Sequence, residues 1–418
     1  MALKIKGSAF VKDVLTLATG TAIAQFIPFL IMPVITRLYT PEDFGFFSIF
    51  MSVVSGIAVI VCGRYDLAIL LPKSDKDSYK LILLSFYICS AISILSLIVI
   101  SVLSVMHLIS LWFFLVPIFV FLIGINQIFV NWNNRKKRYK QISIFRINNS
   151  ISANASSLLF GFFKFYSFGL IIGNLAGLIF SNIIFLRKEI KEFIVQLRST
   201  KFSYLKLSAY RYREMPKVNA IQAIIDMYQL NGIIYLIPIY FGSAVVGLYS
   251  FGMRILQAPI NLIGASIAQV YYQKASEKYN KKESIHTLIK GTVIKSALIA
   301  LPIPLILIFA GEDLFAFVFS EKWRIAGLYA KILSPWIFFD FIRMTISQTT
   351  IIINKQKQLV YRTILGSIIL TFSILYSGIV SENILTGFYL ISILLSLLNI
   401  YIVLWIYNIS KKINFINH

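Results

Sequence analysis

Apolar residues in this chain neither alternate nor recur as a stripe; they run in blocks of about twenty, separated by short polar links. From Leu81 to Asn134 there is no Asp, Glu, Lys or Arg, and Val14–Thr36, Phe44–Gly63, Phe165–Leu186, Thr363–Ser381 and Asn383–Ser410 are equally free of charge. A helix rising about 1.5 Å per residue needs about 20 such residues to cross roughly 30 Å of hydrocarbon. The pattern predicts spans near 14–36, 43–63, 81–104, 110–131, 145–163, 165–186, 217–238, 243–270, 288–309, 325–353, 360–378 and 384–408. The predicted class is therefore an all-α membrane protein of about 12 transmembrane helices in two six-helix lobes, residues 1–186 and 218–418. Between them lies a basic link, 187–217, in which Ile190, Phe193, Ile194 and Leu197 at helical spacing predict an amphipathic surface helix. A weak echo relates the halves: Gln25, Pro33 and Gly45-Phe46-Phe47-Ser48 recur in order as Gln229, Pro238 and Gly247-Leu248-Tyr249-Ser250.

Composition supports the same class. Of 418 residues 58% are hydrophobic and 14% charged, against about 25% charged in soluble domains. An apolar excess of this size exceeds what one core can hide. The net charge of +23 raises the question of a nucleic-acid partner, but the basic residues are not gathered on a polar domain. They sit in the links, and assigning alternate links to opposite sides places 32 of the 40 Lys and Arg on one side and 4 on the other. That asymmetry predicts a multi-pass membrane protein with both termini in the cytoplasm and no nucleic-acid partner. The first apolar stretch is too long for a signal peptide's core and reads as a first span.

Several chemistries are not expected. No glycine-rich loop ends in Gly-Lys-Ser/Thr, and His107, His286, His418, Cys62 and Cys89 are too scattered for a metal site, so no metal or cofactor is predicted. Asp75-Lys76-Asp77 reads as a solvated turn, in a link too short for a catalytic domain. The longest link on the sparsely charged side, about 310–324, leaves no room for the large loop that a glycan polymerase uses.

The candidate functional residues are charges inside predicted spans, each costing about 2.5–3.5 kcal/mol on insertion scales. They are Asp226, Arg254, Lys295, Lys331, Asp340 and Arg343, all in the second half and net positive. A hydrated cationic cavity favours an anionic substrate, and the planar guanidinium suits phosphate oxygens. Structural readings compete: Asp340 and Arg343, three apart, are placed to neutralise each other, and Lys295 and Lys331 to reach toward an interface. Arg254, between Gly252 and Pro259, has no acid one turn away. Asp226 is a candidate ion-pair partner or titrating site. Prolines inside spans (Pro28, Pro33, Pro117, Pro259, Pro302, Pro304, Pro335) mark kinks. Gly169, Gly173 and Gly177 predict a close helix contact.

Several segments resemble the Wzx-type oligosaccharide-lipid flippases of bacterial surface polysaccharide synthesis, in the superfamily that also holds the multidrug and toxin extrusion transporters. They are Thr36-Arg37-Leu38-Tyr39-Thr40-Pro41-Glu42-Asp43-Phe44-Gly45, then Arg64-Tyr65-Asp66-Leu67-Ala68-Ile69-Leu70-Leu71-Pro72, then Gly247, Tyr249, Arg254, Pro259, Gly264 and Gln269-Val270. Ser320-Glu321-Lys322-Trp323 and Pro335-Trp336 fit as well, whereas Asp66 departs from the family's usual Glu. The resemblance implies two lobes around a central cavity and transport, not enzymatic chemistry. It implies undecaprenyl-pyrophosphate-linked oligosaccharide, such as an O-antigen unit, as substrate. Membrane lipid, the polysaccharide polymerase and the chain-length machinery are the implied partners. On that expectation Arg254, with Arg37 and Arg64 and the cations Lys295 and Arg343, meets the pyrophosphate. Asp226, Asp340 and Asp66 are the candidates for coupling or ion pairing. An exporter of small cations or drugs from the same superfamily is the alternative, with a membrane glycan polymerase behind it.

Overall fold

The computed structural model describes the backbone of residues 2–411; the side chains of residues 2–15, 185, 186, 188, 218, 221, 222, 226, 230 and 261 lie outside the described set. The chain folds as two compact units, Met1–Asn231 and Gly232–His418. Every element described is helical.

The first unit holds α1 (Ala2–Leu38), α2 (Pro41–Ala58), α3 (Tyr65–Ala68), α4 (Asp75–Val105), α5 (Val116–Arg135), α6 (Tyr139–Phe162), α7 (Tyr166–Ser199) and α8 (Phe202–Arg211). The turn from α1 to α2 is encoded locally. Pro41 occupies the first helical turn, Asp43 N–H donates to the Thr40 hydroxyl at 3.3 Å, and Thr40 N–H donates to the Asp43 carboxylate at 2.9 Å. This reciprocal cap satisfies two backbone donors that the helix start would leave open. Beside it, fully buried Tyr39 donates its hydroxyl to Ser157 O at 2.7 Å and ties the turn to α6.

Helix α6 is the centre of this unit and packs against α1 on one side and α7 on the other. The predicted glycine ladder makes the second contact. A Cβ at Gly173 would stand 2.7 Å from Ser157 N, one at Gly177 2.7 Å from Ala153 Cβ, and one at Gly169 2.5 Å from the Tyr39 hydroxyl. Between apolar surfaces that lipid would solvate equally well, such close approach supplies the dispersion contacts that hold helices together.

Helix α9 (Ala220–Asn280) crosses from the first unit to the second and is broken at Gly242, whose φ of 78° and ψ of 175° are open to glycine alone. The second unit continues with α10 (His286–Ala300), α11 (Pro302–Phe319), α12 (Arg324–Ile346), α13 (Thr349–Ile352), α14 (Gln356–Tyr376) and α15 (Ile384–Lys411). Here α12 is central, packed on α10, α11 and α15. A Cβ at Gly327 would lie 2.9 Å from Glu312 Cα on α11. Trp323, fully buried, packs on Phe251 with ring centroids 4.3 Å apart, and Phe251 in turn meets Phe319 at 4.9 Å.

The all-α, multi-spanning class stands, and the expected count needs correction. Among the described residues nine helical stretches are long and apolar enough to cross a bilayer. One of these, Asn231–Asn280, contains the expected span 243–270 and only the end, 231–238, of the expected span 217–238. Helices α2 and α6 fall on expected spans but are not among the nine. In α6 the reason is polarity, since Lys140, Arg146, Asn148, Asn149 and Asn154 interrupt its 24 residues. The links also differ from expectation. Helix α7 runs unbroken to Ser199, so the basic link begins as its last turns, with Phe193 packed on Phe86 and Phe129. Helix α11 runs to Phe319, which shortens the expected 310–324 link to a single turn before α12. Asp75 and Asp77 form the start of α4, capped by Ser74 and paired with Arg135, Lys136 and Lys80.

The glycine contact gives a stability prediction. Gly173→Leu is expected to cost about 1–3 kcal/mol, as overpacking of a filled contact does, and to lower the thermal unfolding temperature of detergent-solubilised protein. Stability equal to the parent would show that α6 and α7 do not depend on this approach.

Candidate functional site

Within the first unit, five elements enclose a cavity of about 780 Å³. Helix α1 supplies Thr21, Gln25 and Pro28, residues that share one helical face, and α5 supplies Asn126, Gln127 and Asn131. Helix α6 contributes Arg146, Asn149, Ser150 and Asn154, and α7 adds Asn174. The turn at α3 brings Arg64, Asp66 and Leu67. Four helices that are otherwise apolar thus turn amides inward onto one space.

The turn leading to α3 aims its charges through backbone geometry. Gly63 and Arg64 follow one another in the left-handed region, with φ of 56° and 61°. The second of these costs roughly 1–2 kcal/mol for a residue with a Cβ. The far side of the segment is held by Arg135, whose Nη1 donates to Pro72 O at 2.7 Å while its Nε pairs with Asp75 at 3.0 Å. So restrained, Arg64 lies half-buried at the cavity and Asp66 is buried. Asn131 Nδ2 donates to the Asp66 carboxylate at 3.1 Å. Burial pushes the Asp66 carboxyl above the ordinary 3.8; the Arg64 charge and the hydrogen bonds to the carboxylate oppose this without cancelling it.

Other groups in the lining are only partly satisfied. Arg146 donates from Nη1 to the Thr21 hydroxyl, and among the described residues it has no carboxylate at ion-pair distance. The amides of Gln127, Asn154 and Asn174 donate to backbone oxygens of Ala58, Ser150 and Leu170 at 3.1, 2.7 and 2.9 Å. Arg64 Nε and Asn126 Oδ1 are buried with no hydrogen-bond partner among the described residues. Buried polar atoms left open in this way need water or a ligand. Two guanidinium groups against one carboxylate make the lining net positive, and the amides offer both donors and acceptors. Such a lining suits an anionic group attached to hydroxyl-rich material.

The expected site residues divide accordingly. Arg64 and Asp66 share the cavity. Arg37 is exposed and bonds Pro33 O of its own helix at 2.6 Å. Arg254, Lys295, Asp340 and Arg343 belong to the second unit. Asp340 and Arg343 pair with each other at 2.6 Å, and Lys331 pairs with Glu312 at 3.5 Å. Lys295 lines a separate groove beside Lys274 and Lys278. The Asp226 side chain lies outside the described residues. Arg146 and the amides were missed because charge alone was the search criterion. The available signal was Thr21 with Gln25, and Arg146 with Ser150 and Asn154, each four residues apart on one helical face.

The raised Asp66 carboxyl predicts a pH signature. The folded chain holds this proton more tightly than the unfolded chain, so stability falls as pH rises from 3.8 through the raised value. Asp66→Asn removes that slope. The variant's melting temperature is expected to match the parent's at the acid end and to exceed it above the raised value. A pH-independent difference would show that Asp66 is not the titrating group.

The fold has close structural relatives. An inward-facing multidrug resistance MATE family transporter of the MOP superfamily aligns with a TM-score of 0.68 at 14% identity over 95% of each chain. An outward-facing MATE family transporter aligns with a TM-score of 0.59 at 12% identity over 96% of each chain. A MOP superfamily transporter from Pyrococcus furiosus, described as having a binding pocket of reverse polarity that suggests a different function, aligns with a TM-score of 0.59 at 11% identity over 96% of each chain. No curated protein sequence matches the chain. Residues 34–327 match the polysaccharide biosynthesis protein family, a stretch that includes α2 to α8 and reaches the start of α12. The chain is a multi-pass membrane protein that belongs to this polysaccharide biosynthesis protein family, and its fold is the one seen in MATE family transporters of the MOP superfamily.

Proposed function

We propose that the protein flips a lipid-linked oligosaccharide, with undecaprenyl pyrophosphate as carrier, from the inner to the outer leaflet of the bacterial cytoplasmic membrane by alternating access. One observation carries this reading: the cavity of the first unit combines Arg64 and Arg146 with a wall of Asn and Gln side chains. A pyrophosphate with attached sugars cannot cross hydrocarbon unaided, because each buried polar group left without a partner costs several kcal/mol. The prenyl tail has no such need and stays in lipid. Guanidinium groups fit the phosphate oxygens in bidentate fashion, and amides pair with sugar hydroxyls. The family match supports a role in polysaccharide synthesis. Arg254, with no carboxylate at ion-pair distance among the described residues, is proposed as a further phosphate contact. The basic links place both termini in the cytoplasm in this scheme.

Export of small organic cations or drugs is a second reading, favoured by the fold it shares with multidrug transporters and by the presence of buried Asp66 in the same cavity. The two readings invert the roles of the charges. An anionic cargo needs the arginines, and a cationic one needs Asp66.

The test is flipping in liposomes, with a labelled undecaprenyl-pyrophosphate oligosaccharide followed by its exposure to an external probe. Arg146→Ala and Arg64→Ala are each expected to slow exposure about tenfold or more, the loss of one charge-assisted contact of about 1.5–3 kcal/mol. Insertion is checked in parallel. No acceleration over protein-free vesicles, together with Asp66-dependent efflux of an organic cation, would replace this reading by the second.

A further inference from the structure

The second unit contains a groove of its own, about 670 Å³, lined from the last part of α9 and from α10. Lys274 and Lys278 stand one turn apart on α9, and Lys295 faces the same space from α10. Lys278 is paired with Glu283 at 2.8 Å. Among the described residues no carboxylate lies at ion-pair distance from Lys274 or Lys295, so the groove holds surplus positive charge. Farther from the turn that joins the two helices, the lining changes to Ile267 and Ile299. One end is cationic and the other apolar.

Gly291 supplies an independent observation. Glycine inside a helix costs about 1 kcal/mol relative to alanine, and such a residue usually marks a close contact. A Cβ at Gly291 would meet nothing within 4 Å, yet the residue lines the groove. Its missing side chain leaves room for something other than a neighbouring helix.

We infer that this groove binds an anionic phospholipid, its phosphate held between Lys274 and Lys295 and an acyl chain lying along Ile267 and Ile299. The basic turn at 281–285 marks the cytoplasmic side by charge asymmetry, and the cytoplasmic leaflet is where anionic head groups concentrate. A zwitterionic head group does not compensate the unpaired lysines, and a free phosphate leaves the isoleucines exposed. The site is separate from the cavity lined by Arg64 and Arg146 and does not depend on the identity of the transported cargo.

Native mass spectrometry of the full-length protein in detergent, with cardiolipin or phosphatidylcholine added, tests the site. Cardiolipin adducts are expected on the parent protein, with occupancy falling about fivefold for each of Lys274→Ala and Lys295→Ala. Gly291→Leu fills the groove without changing its charge and is expected to lower cardiolipin occupancy while the melting temperature is kept. Equal cardiolipin occupancy in parent and variants overturns the site, as does equal retention of phosphatidylcholine. Stronger lysine-dependent retention of undecaprenyl phosphate than of cardiolipin reassigns the groove to cargo.

Discussion

Helices in a bilayer gain nothing by hiding apolar surface from lipid, so this fold depends on how closely backbones approach. In the first unit the contact that matters is α6 between α1 and α7. Gly173 and Gly177 bring α7 onto Ser157 and Ala153, and Gly161 lets α6 meet Leu38 and Tyr39. With that face committed to packing, the other face of α6 carries Arg146, Asn149, Ser150 and Asn154 into the cavity. Asn154 still donates to Ser150 O of the same helix at 2.7 Å. The glycines thus set which face of α6 the cavity receives.

The second constraint is the cost of charge at membrane depth, and the chain meets it in two ways. In the second unit two of the candidate charges are neutralised locally: Asp340 holds Arg343, and Glu312 holds Lys331. In the first unit the charges gather at a cavity, with Arg64 and Arg146 offset only by Asp66. Local neutralisation is static. A cavity that keeps surplus cations and open hydrogen-bonding atoms is suited to exchange its partners.

The polarity of this site does not follow from the fold it shares with its structural relatives. A shared fold at 11–14% identity fixes the arrangement of helices and says little about what fills the space between them. The transporter from Pyrococcus furiosus, described by the reverse polarity of its binding pocket, illustrates that the sign of the lining can change on this scaffold. Here the sign is set by a handful of side chains: two arginines, one aspartate and the surrounding amides.

The sequence by itself determined the membrane-spanning class and the positions of most of the apolar helices through hydropathy, and the close packing along Gly169, Gly173 and Gly177 through spacing. Each depends on composition or on spacing within one segment, and neighbouring residues carry that information completely. The family resemblance singled out Arg64 and Asp66 through their motif, and the three-residue spacing of Asp340 and Arg343 predicted their pair. Only the tertiary structure decided that Arg146 and amides from four helices meet at one cavity, and that Lys295 faces a different groove beside Lys274. Those outcomes depend on which helix faces turn toward each other. Helix rotation is set by contacts between segments far apart in the chain, and a single sequence read segment by segment does not contain them.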